Sequence, residues 1–118
     1  MSTTISGTNG VTFPDSTSMQ TGQQACKAWV NFNGSGTVAI RDSYNVSSIT
    51  DNGTGNYSVN FTNAMPDVNY SVVVGQSQIV SGWYAHGSFV DSTTYFKVYT
   101  RYNGSYYDVS TIHAAVFS

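Results

Sequence analysis

The chain of 118 residues contains no leucine and no glutamate, and charged residues make up only 8% of it. Leucine and glutamate are strong helix formers, whereas valine, threonine and tyrosine suit the pleated, half-buried surface of a sheet. Serine, threonine, asparagine and glycine fill most of the polar positions. The composition therefore predicts an all-β protein, and the length predicts one domain with a short leader.

The chain is also poor in basic clusters and in long apolar runs. Its net charge is −2 and its four basic residues are scattered, so nucleic-acid binding, which requires clustered lysine and arginine, is not expected. No apolar run approaches the roughly 20 residues of a membrane span, and no signal peptide is recognisable. We expect neither a nucleic-acid partner nor insertion into a membrane.

Cysteine usage and polar composition bear on where the protein works. The single Cys26 cannot form an internal disulfide, which fits synthesis in a reducing cytosol. Low charge with abundant serine, threonine and tyrosine is instead typical of a protein that acts outside a cell. A virion component, assembled in the host cytoplasm and used outside it, satisfies both observations.

Residues 1–24 form a leader with little periodicity, rich in serine, threonine, glycine and glutamine. Its small apolar island places Val11 and Phe13 on one side of an extended segment, and Pro14 suits an edge strand or a turn. Alone, such a segment buries too little surface to offset its ordering entropy. We predict an extended arm that packs against neighbouring chains, with a flexible linker as the alternative, followed by a head domain over residues 25–118.

From residue 27 onward the apolar residues alternate with polar ones, as in strands with one buried face. Strands are predicted over residues 27–32, 37–41, 44–50, 57–62, 68–75, 94–101 and 109–117, with a further short strand at 89–90 and Gly-rich hairpin turns at 33–36 and 51–55. The run Val72-Val73-Val74 predicts a strand covered on both sides. About seven or eight short antiparallel strands favour a β-sandwich over a small barrel. The predicted inward residues are Tyr57, Val59, Phe61, Val72, Val74, Phe96, Val98, Ile112, Ala114 and Val116.

Residues able to carry out chemistry are few and isolated. The six aspartates lie mostly in predicted turns, where the carboxylate bonds nearby backbone donors, so a carboxylate pair for glycoside hydrolysis is not indicated. His86 and His113 lack the spacing of a zinc site. Cys26 is interpreted as a buried or interfacial thiol. We therefore predict that the protein is not an enzyme and has no metal or cofactor.

Aromatic residues are concentrated in the last third of the chain. Tyr95, Tyr99 and Arg101 share one side of their predicted strand with Lys97, and tyrosines continue into the next loop. Tyrosine, tryptophan and arginine are enriched where proteins recognise other surfaces, although tyrosine also simply suits exposed strands or subunit contacts. The predicted receptor- or glycan-binding residues are Trp83, Tyr84, His86, Tyr95, Tyr99, Arg101, Tyr102, Tyr106, Tyr107 and Asp108.

A second surface is predicted on the last strand. His113, Ala115 and Phe117 alternate with inward-facing residues, and an exposed phenylalanine beside an alanine is a liability unless it is covered. Coverage by another copy of the chain is the simplest explanation. We predict a homo-oligomer whose contacts involve these residues together with Val11 and Phe13 of the arm.

Several segments resemble the fibre proteins of tailed bacteriophages, especially those of aquatic phages such as cyanophages. The similar segments are residues 5–15 (ISGTNGVTFPD), 26–34 (CKAWVNFNG), 40–41 (IR), 44–55 (YNVSSITDNGTG), 57–62 (YSVNFT) and 64–67 (AMPD). The resemblance covers roughly residues 5–74. The last third of the chain is more individual, as expected of a tip that contacts a receptor.

The resemblance implies a virion structural protein, expected to be trimeric, with the leader as an attachment or trimerisation arm and the sandwich as a distal head. The leading expectation is a tail-fibre or receptor-binding subunit that attaches the virion to a host surface glycan without catalysis. The alternative is a decoration or cement protein that stabilises the capsid, and a small baseplate subunit also fits. The arm would then contact other virion proteins.

Overall fold

The computed structural model describes residues 4–6, 10–12, 14–15, 18–19, 26–77 and 82–118. Within these ranges every regular element is a β-strand, so no described helix has the length and hydropathy of a membrane span. In chain order the strands are β1 Thr4–Ser6, β2 Gly10–Thr12, β3 Ser18–Met19, β4 Cys26–Asn33, β5 Ala39–Tyr44, β6 Val46–Gly53, β7 Asn56–Phe61, β8 Ser71–Gln76, β9 Tyr84–Phe89, β10 Tyr95–Tyr102, β11 Ser105–Tyr106 and β12 Ile112–Phe117.

Nine of these strands form the two antiparallel sheets of a β-sandwich, which confirms the predicted fold class. Sheet 1 has the strand order β5-β4-β12-β8. Sheet 2 has the order β11-β10-β7-β6. Strand β9 also pairs with β10, on the edge opposite to β7. The sandwich thus has one strand more than the upper end of the range of about seven or eight that the turn spacing indicated.

The leader forms a small structure of its own in the residues described there. Strands β1, β2 and β3 pair as an antiparallel sheet, with Val11 of β2 opposite both Ile5 and Met19. Pro14 lies in the turn that follows β2, as its missing N–H favours. The role of residues 1–24 as an attachment or oligomerisation arm stays a prediction. Phe13 lies outside the described residues, and the predicted contacts of the leader with neighbouring chains stay a prediction.

The core lies between the two sheets and follows the predicted alternation. Eight of the ten predicted inward residues are buried, and Val72 and Val74 are half-buried against the same cluster. Phe32 of sheet 1 meets Tyr57 of sheet 2 edge-to-face, with ring centroids 5.4 Å apart. Most outward residues on the same strands are at least partly accessible, and the outward Ser58 of β7 is an exception that is buried.

Strand β8 corrects one prediction. Val73 is 62% exposed, so the Val72-Val73-Val74 run is not covered on both sides. Strand β8 is the edge of sheet 1, paired only with β12, and Val73 points to the outer face. Three consecutive valines therefore reflect the preference of β-branched residues for strands rather than burial on both faces.

A sharp corner at Asn45 divides what was predicted as one strand over residues 44–50. Strand β5 ends at Tyr44 in sheet 1, and β6 begins at Val46 in sheet 2. Asn45 has a φ of 57°, a left-handed conformation that asparagine tolerates better than most residues. Its side-chain Nδ2 donates to Lys27 O and Asn63 O, each at 3.2 Å, and Oδ1 accepts from Asn63 N. The corner is therefore fixed to β4 of sheet 1 and to the segment that follows β7 of sheet 2.

One end of the sandwich is closed by Gly34, Tyr57 and Asp108. Gly34 N donates to Val109 O at 3.0 Å, and the buried Tyr57 hydroxyl lies 2.6 Å from Gly34 O and 2.8 Å from Asp108 Oδ1. The phenol carries one proton and has two acceptors, so the two bonds share it. Asp108 Oδ1 also accepts from Gly55 N at 2.8 Å. These contacts anchor the segment that follows β11, and so help to position the hairpin that carries Tyr106.

Candidate recognition site

Strand β10 displays the predicted aromatic and basic residues through simple alternation. Phe96, Val98 and Thr100 are buried in the core, so the intervening side chains point to the outer face of sheet 2. The outward residues are Tyr95, Lys97, Tyr99 and Arg101. The predicted common side of these four residues is confirmed.

A groove runs between β10 and β9 on this face. Gly87 of β9 is opposite Tyr99, and Ala85 is opposite Arg101. A Cβ atom at Gly87 would meet no other atom within 4 Å, so the missing side chain leaves open space beside the Tyr99 ring. The groove has a volume of about 460 Å³ and is lined by Ala85, His86, Gly87, Ser88, Tyr99, Arg101 and Tyr106.

The wall of the groove is held by contacts among Tyr99, Arg101 and Tyr106. The Arg101 guanidinium carbon lies 4.6 Å from the Tyr106 ring centroid, and Nη2 donates to Tyr106 Oη at 3.1 Å. The Tyr99 and Tyr106 rings are inclined at 45°, with centroids 6.1 Å apart. Cation–π and hydrogen-bond contacts restrain the long arginine side chain before any ligand arrives.

A tight hairpin brings Tyr106 to the groove. Asn103 and Gly104 have φ angles of 48° and 86°, and Arg101 pairs with Tyr106 across the turn. Two consecutive positive φ angles are typical of a two-residue hairpin, which favours the dipeptide Asn-Gly. This hairpin replaces the loop predicted after the strand, although the Asn-Gly signal was present in the sequence.

Hydroxyl and amide groups continue the face beyond the groove. On β7, Asn56, Ser58 and Asn60 are opposite Tyr99, Lys97 and Tyr95 respectively. Asn60 Nδ2 donates to Thr50 Oγ1 at 3.0 Å, and Asn52 Nδ2 donates to Ser58 Oγ at 2.8 Å. The outer face of sheet 2 therefore has an aromatic and cationic half on β9–β10 and a neutral polar half on β6–β7.

The other predicted binding residues do not reach the groove. Tyr102 stacks with Tyr84 at 4.9 Å and with Tyr107 at 5.3 Å between centroids, on the opposite side of β10 from Arg101. The exposed Trp83 lies beside this cluster, where its backbone N–H donates to Asn103 Oδ1. Asp108 uses Oδ1 for internal bonds, as described above. The structure thus brings together His86, Tyr99, Arg101 and Tyr106, with Tyr95 farther along the same face, and adds Ala85, Gly87 and Ser88.

The predicted oligomer surface lies on the outer face of sheet 1 and is wider than β12. Tyr44, Trp29, Ala115 and Val73 are aligned in register across all four strands, and we call them the apolar row. Tyr44, Trp29 and Val73 are exposed, and Ala115 is half-buried. Phe117 and His113 flank the row on β12 and are also exposed. Contact of this surface with another copy of the chain stays a prediction.

A larger cavity of about 680 Å³ lies beside the loop over residues 62–67, where Tyr44 is the sole aromatic lining residue. None of the predicted binding residues lines it. In the part of the chain that the structure describes, no group of three or more His, Cys, Asp or Glu side chains is placed to hold a metal ion. The groove on sheet 2 is therefore the better candidate site.

Comparisons with protein-family models, with curated proteins and with solved structures give no match for this chain.

Proposed function

We propose that this chain is a non-catalytic host-attachment subunit of a bacteriophage virion, and that its groove binds a glycan of the host surface. The observation that carries the proposal is the groove itself, where Tyr99, Arg101 and Tyr106 converge beside the open space left by Gly87. The virion context is supported by the sequence resemblance to phage fibre proteins and by the low charge of the chain.

Saccharide chemistry matches the groove in shape and in polarity. A pyranose ring has a face of C–H groups that packs on an aromatic ring, and a rim of hydroxyls that needs hydrogen-bond partners. Tyr99 and Tyr106 offer the rings, and the Arg101 guanidinium offers hydrogen-bond donors beside them. A volume of about 460 Å³ falls within the usual range of small-ligand sites.

Weak single-site binding would be sufficient in an assembly. A trimer, displayed in several copies on one particle, converts weak contacts into useful avidity without any new interaction. In this proposal the apolar row joins the copies, and the leader contacts other virion proteins. The groove and the apolar row lie on opposite outer faces of the sandwich, so one can be covered while the other stays accessible.

Replacing Tyr99 by alanine is expected to lower glycan or host-cell affinity at least tenfold, equivalent to about 1.4 kcal/mol, because the stacking surface is lost. Tyr99→Phe should retain most of the affinity. The measurement is binding of labelled protein to host cells and to an array of bacterial surface polysaccharides. Tyr95→Ala is the matched control, since this ring lies on the same face of β10 but outside the groove, and it should change affinity less than twofold.

Two results would count against the proposal. Wild-type protein that neither binds host cells nor competes with phage adsorption would remove the attachment role. Equal losses in Tyr99→Ala and Tyr95→Ala would move recognition away from the groove to the face as a whole.

A capsid decoration role is the second candidate, and the apolar row is the observation that favours it. An exposed row of apolar side chains across four strands can cover a capsid subunit as well as another copy of the chain. Electron microscopy of the particle separates the two roles, because a decoration protein lies on the head and a fibre subunit lies on the tail.

Self-association through the apolar row predicts the effect of a charge placed within it. Wild-type protein at micromolar concentration should have three times the 12.7 kDa mass of one chain, and Val73→Asp should shift it to monomer, because an unpaired carboxylate would be buried at the contact. Light scattering after size exclusion measures both masses. Val68→Asp is the control, since Val68 is 45% exposed but lies in a loop away from the row. A wild-type monomer would contradict the prediction.

A further inference from the structure

The formal charges of this protein are unevenly distributed over its faces. The chain has six aspartates and four basic residues, yet two of the basic residues, Lys97 and Arg101, lie on the outer face of sheet 2. No aspartate occupies a paired position on that face. A net negative protein therefore presents a cationic strip beside its groove.

The aspartates nearest to sheet 2 are engaged elsewhere. Asp51 and Asp67 accept bonds from the backbone N–H groups of Gly53 and Asn69 in turns. Asp108 Oδ1 faces the interior, and Asp42 is opposite Asn31 on sheet 1. Asp91 lies in the connection between β9 and β10, where its negative charge acts on Tyr70. None of these five carboxylates occupies a paired position on the face that carries the strip.

We infer that the ligand of the groove is an anionic glycan, whose carboxylate or phosphate group is held by Arg101 while Tyr99 stacks on the sugar ring. This inference rests on the proposed function and specifies its ligand class. Arg101 has five N–H donors, of which one is used by Tyr106 Oη, so a bidentate contact with an anion remains available. Lys97 lies two residues before Tyr99 on the same face, about 7 Å away along the strand, and can approach a second acidic group.

A neutral sugar fits this arrangement less well for a physical reason. Covering the Arg101 guanidinium with an uncharged ring removes water from the charge without replacing it by an opposite one, which costs free energy. An anionic ligand offsets that cost. The guanidinium is also restrained by its contacts with Tyr106, so little side-chain entropy is lost on pairing.

Nucleic acid fits less well than a glycan. Its binding strength comes from many phosphate contacts, and this face offers two cations on a chain with a net charge of −2. An acidic saccharide needs one or two ionic contacts and an aromatic platform, which is what β9 and β10 provide together.

The test compares acidic saccharides with neutral partners of the same backbone. The probes are polygalacturonate against its methyl ester, sialyllactose against lactose, and phosphomannan against mannan, which separates carboxylate from phosphate as the source of charge. Binding of the full chain is measured by calorimetry in about 50 mM and about 300 mM NaCl, spanning a Debye length from above to below about 10 Å. We expect at least one acidic probe to bind tenfold or more tightly than its neutral partner, and the difference to shrink in high salt.

Variants assign the charge effect to the groove. Arg101→Gln should remove most of the preference for the acidic probe, and Arg101→Lys should restore part of it. Lys27→Gln is the control, because Lys27 is a cation that lies outside the groove, and it should leave the preference unchanged. Arg101 is exposed, so these variants are expected to fold, and circular dichroism verifies it.

The outcomes separate this inference from the proposed function. If acidic and neutral probes bind equally and Tyr99→Ala abolishes that binding, the inference of an anionic ligand is wrong. Glycan recognition by the groove is then still supported. A preference for the acidic probe that Arg101→Gln does not change also overturns it. Absence of binding to any acidic probe overturns it as well, and host-cell binding then decides the proposed function independently.

Discussion

An alanine at Gly34 is expected to lower the free energy of unfolding by about 3 kcal/mol, which is a large fraction of the stability of a small domain. The added Cβ would lie 2.6 Å from Ile112 Cδ1, 2.7 Å from Tyr57 Oη and 2.8 Å from Val109 O. Two of these atoms take part in the closure of the sandwich end, and one of them is backbone. The chain must therefore separate at this end or lose the bonds between Gly34, Tyr57 and Val109.

The measurement is chemical denaturation followed by circular dichroism. Gly87→Ala is the matched control, because its Cβ would meet nothing within 4 Å and its backbone conformation is not left-handed. It should change the free energy of unfolding by less than about 0.5 kcal/mol. If both variants lose a similar amount of free energy of unfolding, the close packing around Gly34 is not the reason that glycine is required there.

Above pH 10 the protein is expected to lose stability because two buried tyrosines resist ionisation in the folded state. Burial, aided by nearby Asp91, raises the pKa of Tyr70 to about 12. Burial also raises the pKa of Tyr57 well above its usual value, and the hydrogen bond and negative charge of Asp108 add to the effect. The unfolded chain releases these protons near pH 10, whereas the folded chain retains them.

Proton linkage determines whether stability rises or falls with pH. Between pH 10 and pH 12 the folded state binds more protons than the unfolded state, so the free energy of unfolding falls as pH rises. The stabilisation that comes from keeping these tyrosines protonated is fully present below pH 10. Tyr70 alone lowers the free energy of unfolding by an amount on the order of 2 kcal/mol by pH 12. Tyr57 extends the decline to higher pH.

Denaturant unfolding at pH 8, 10, 11 and 12, followed by far-ultraviolet circular dichroism, measures this decline. Tyr70→Phe starts from lower stability, since the hydroxyl no longer donates to Ser92 O and Tyr95 O, but it should show a shallower slope between pH 10 and 12. Tyr106→Phe, at an exposed tyrosine, should have the wild-type slope. A free energy that stays constant to pH 12 would contradict the assignment.

The strands of the core were predictable because alternation is a local property of the sequence. The pattern in β4, β7, β10 and β12 identifies the buried face from neighbouring residues alone, and all four strands were found. The corner at Asn45 and the exposed Val73 were not found. Both depend on which sheet a strand joins and which edge it occupies, and these properties arise from distant pairings.

Several residues of the candidate site were predictable from the sequence, but which of them meet in one groove was not. Alternation on β10 places Tyr99 and Arg101 on one side, as the sequence indicated. Their meeting with His86 and Gly87 depends on the register of β9 against β10, and no local pattern encodes that register. The separate cluster of Tyr102 was instead predictable from alternation, since Tyr102 directly follows Arg101 and one step along a strand reverses the face.

The alternation on β10 also determines how this protein can change under selection. Substitutions at Lys97, Tyr99 or Arg101 alter the presented chemistry while the adjacent codons for Phe96, Val98 and Thr100 keep the interior intact. Under the proposed function, adaptation to a new host saccharide can therefore proceed by single substitutions at every second position, each with little effect on folding. Gly87 extends this freedom to β9, where an alanine would add a methyl group to the groove without a clash.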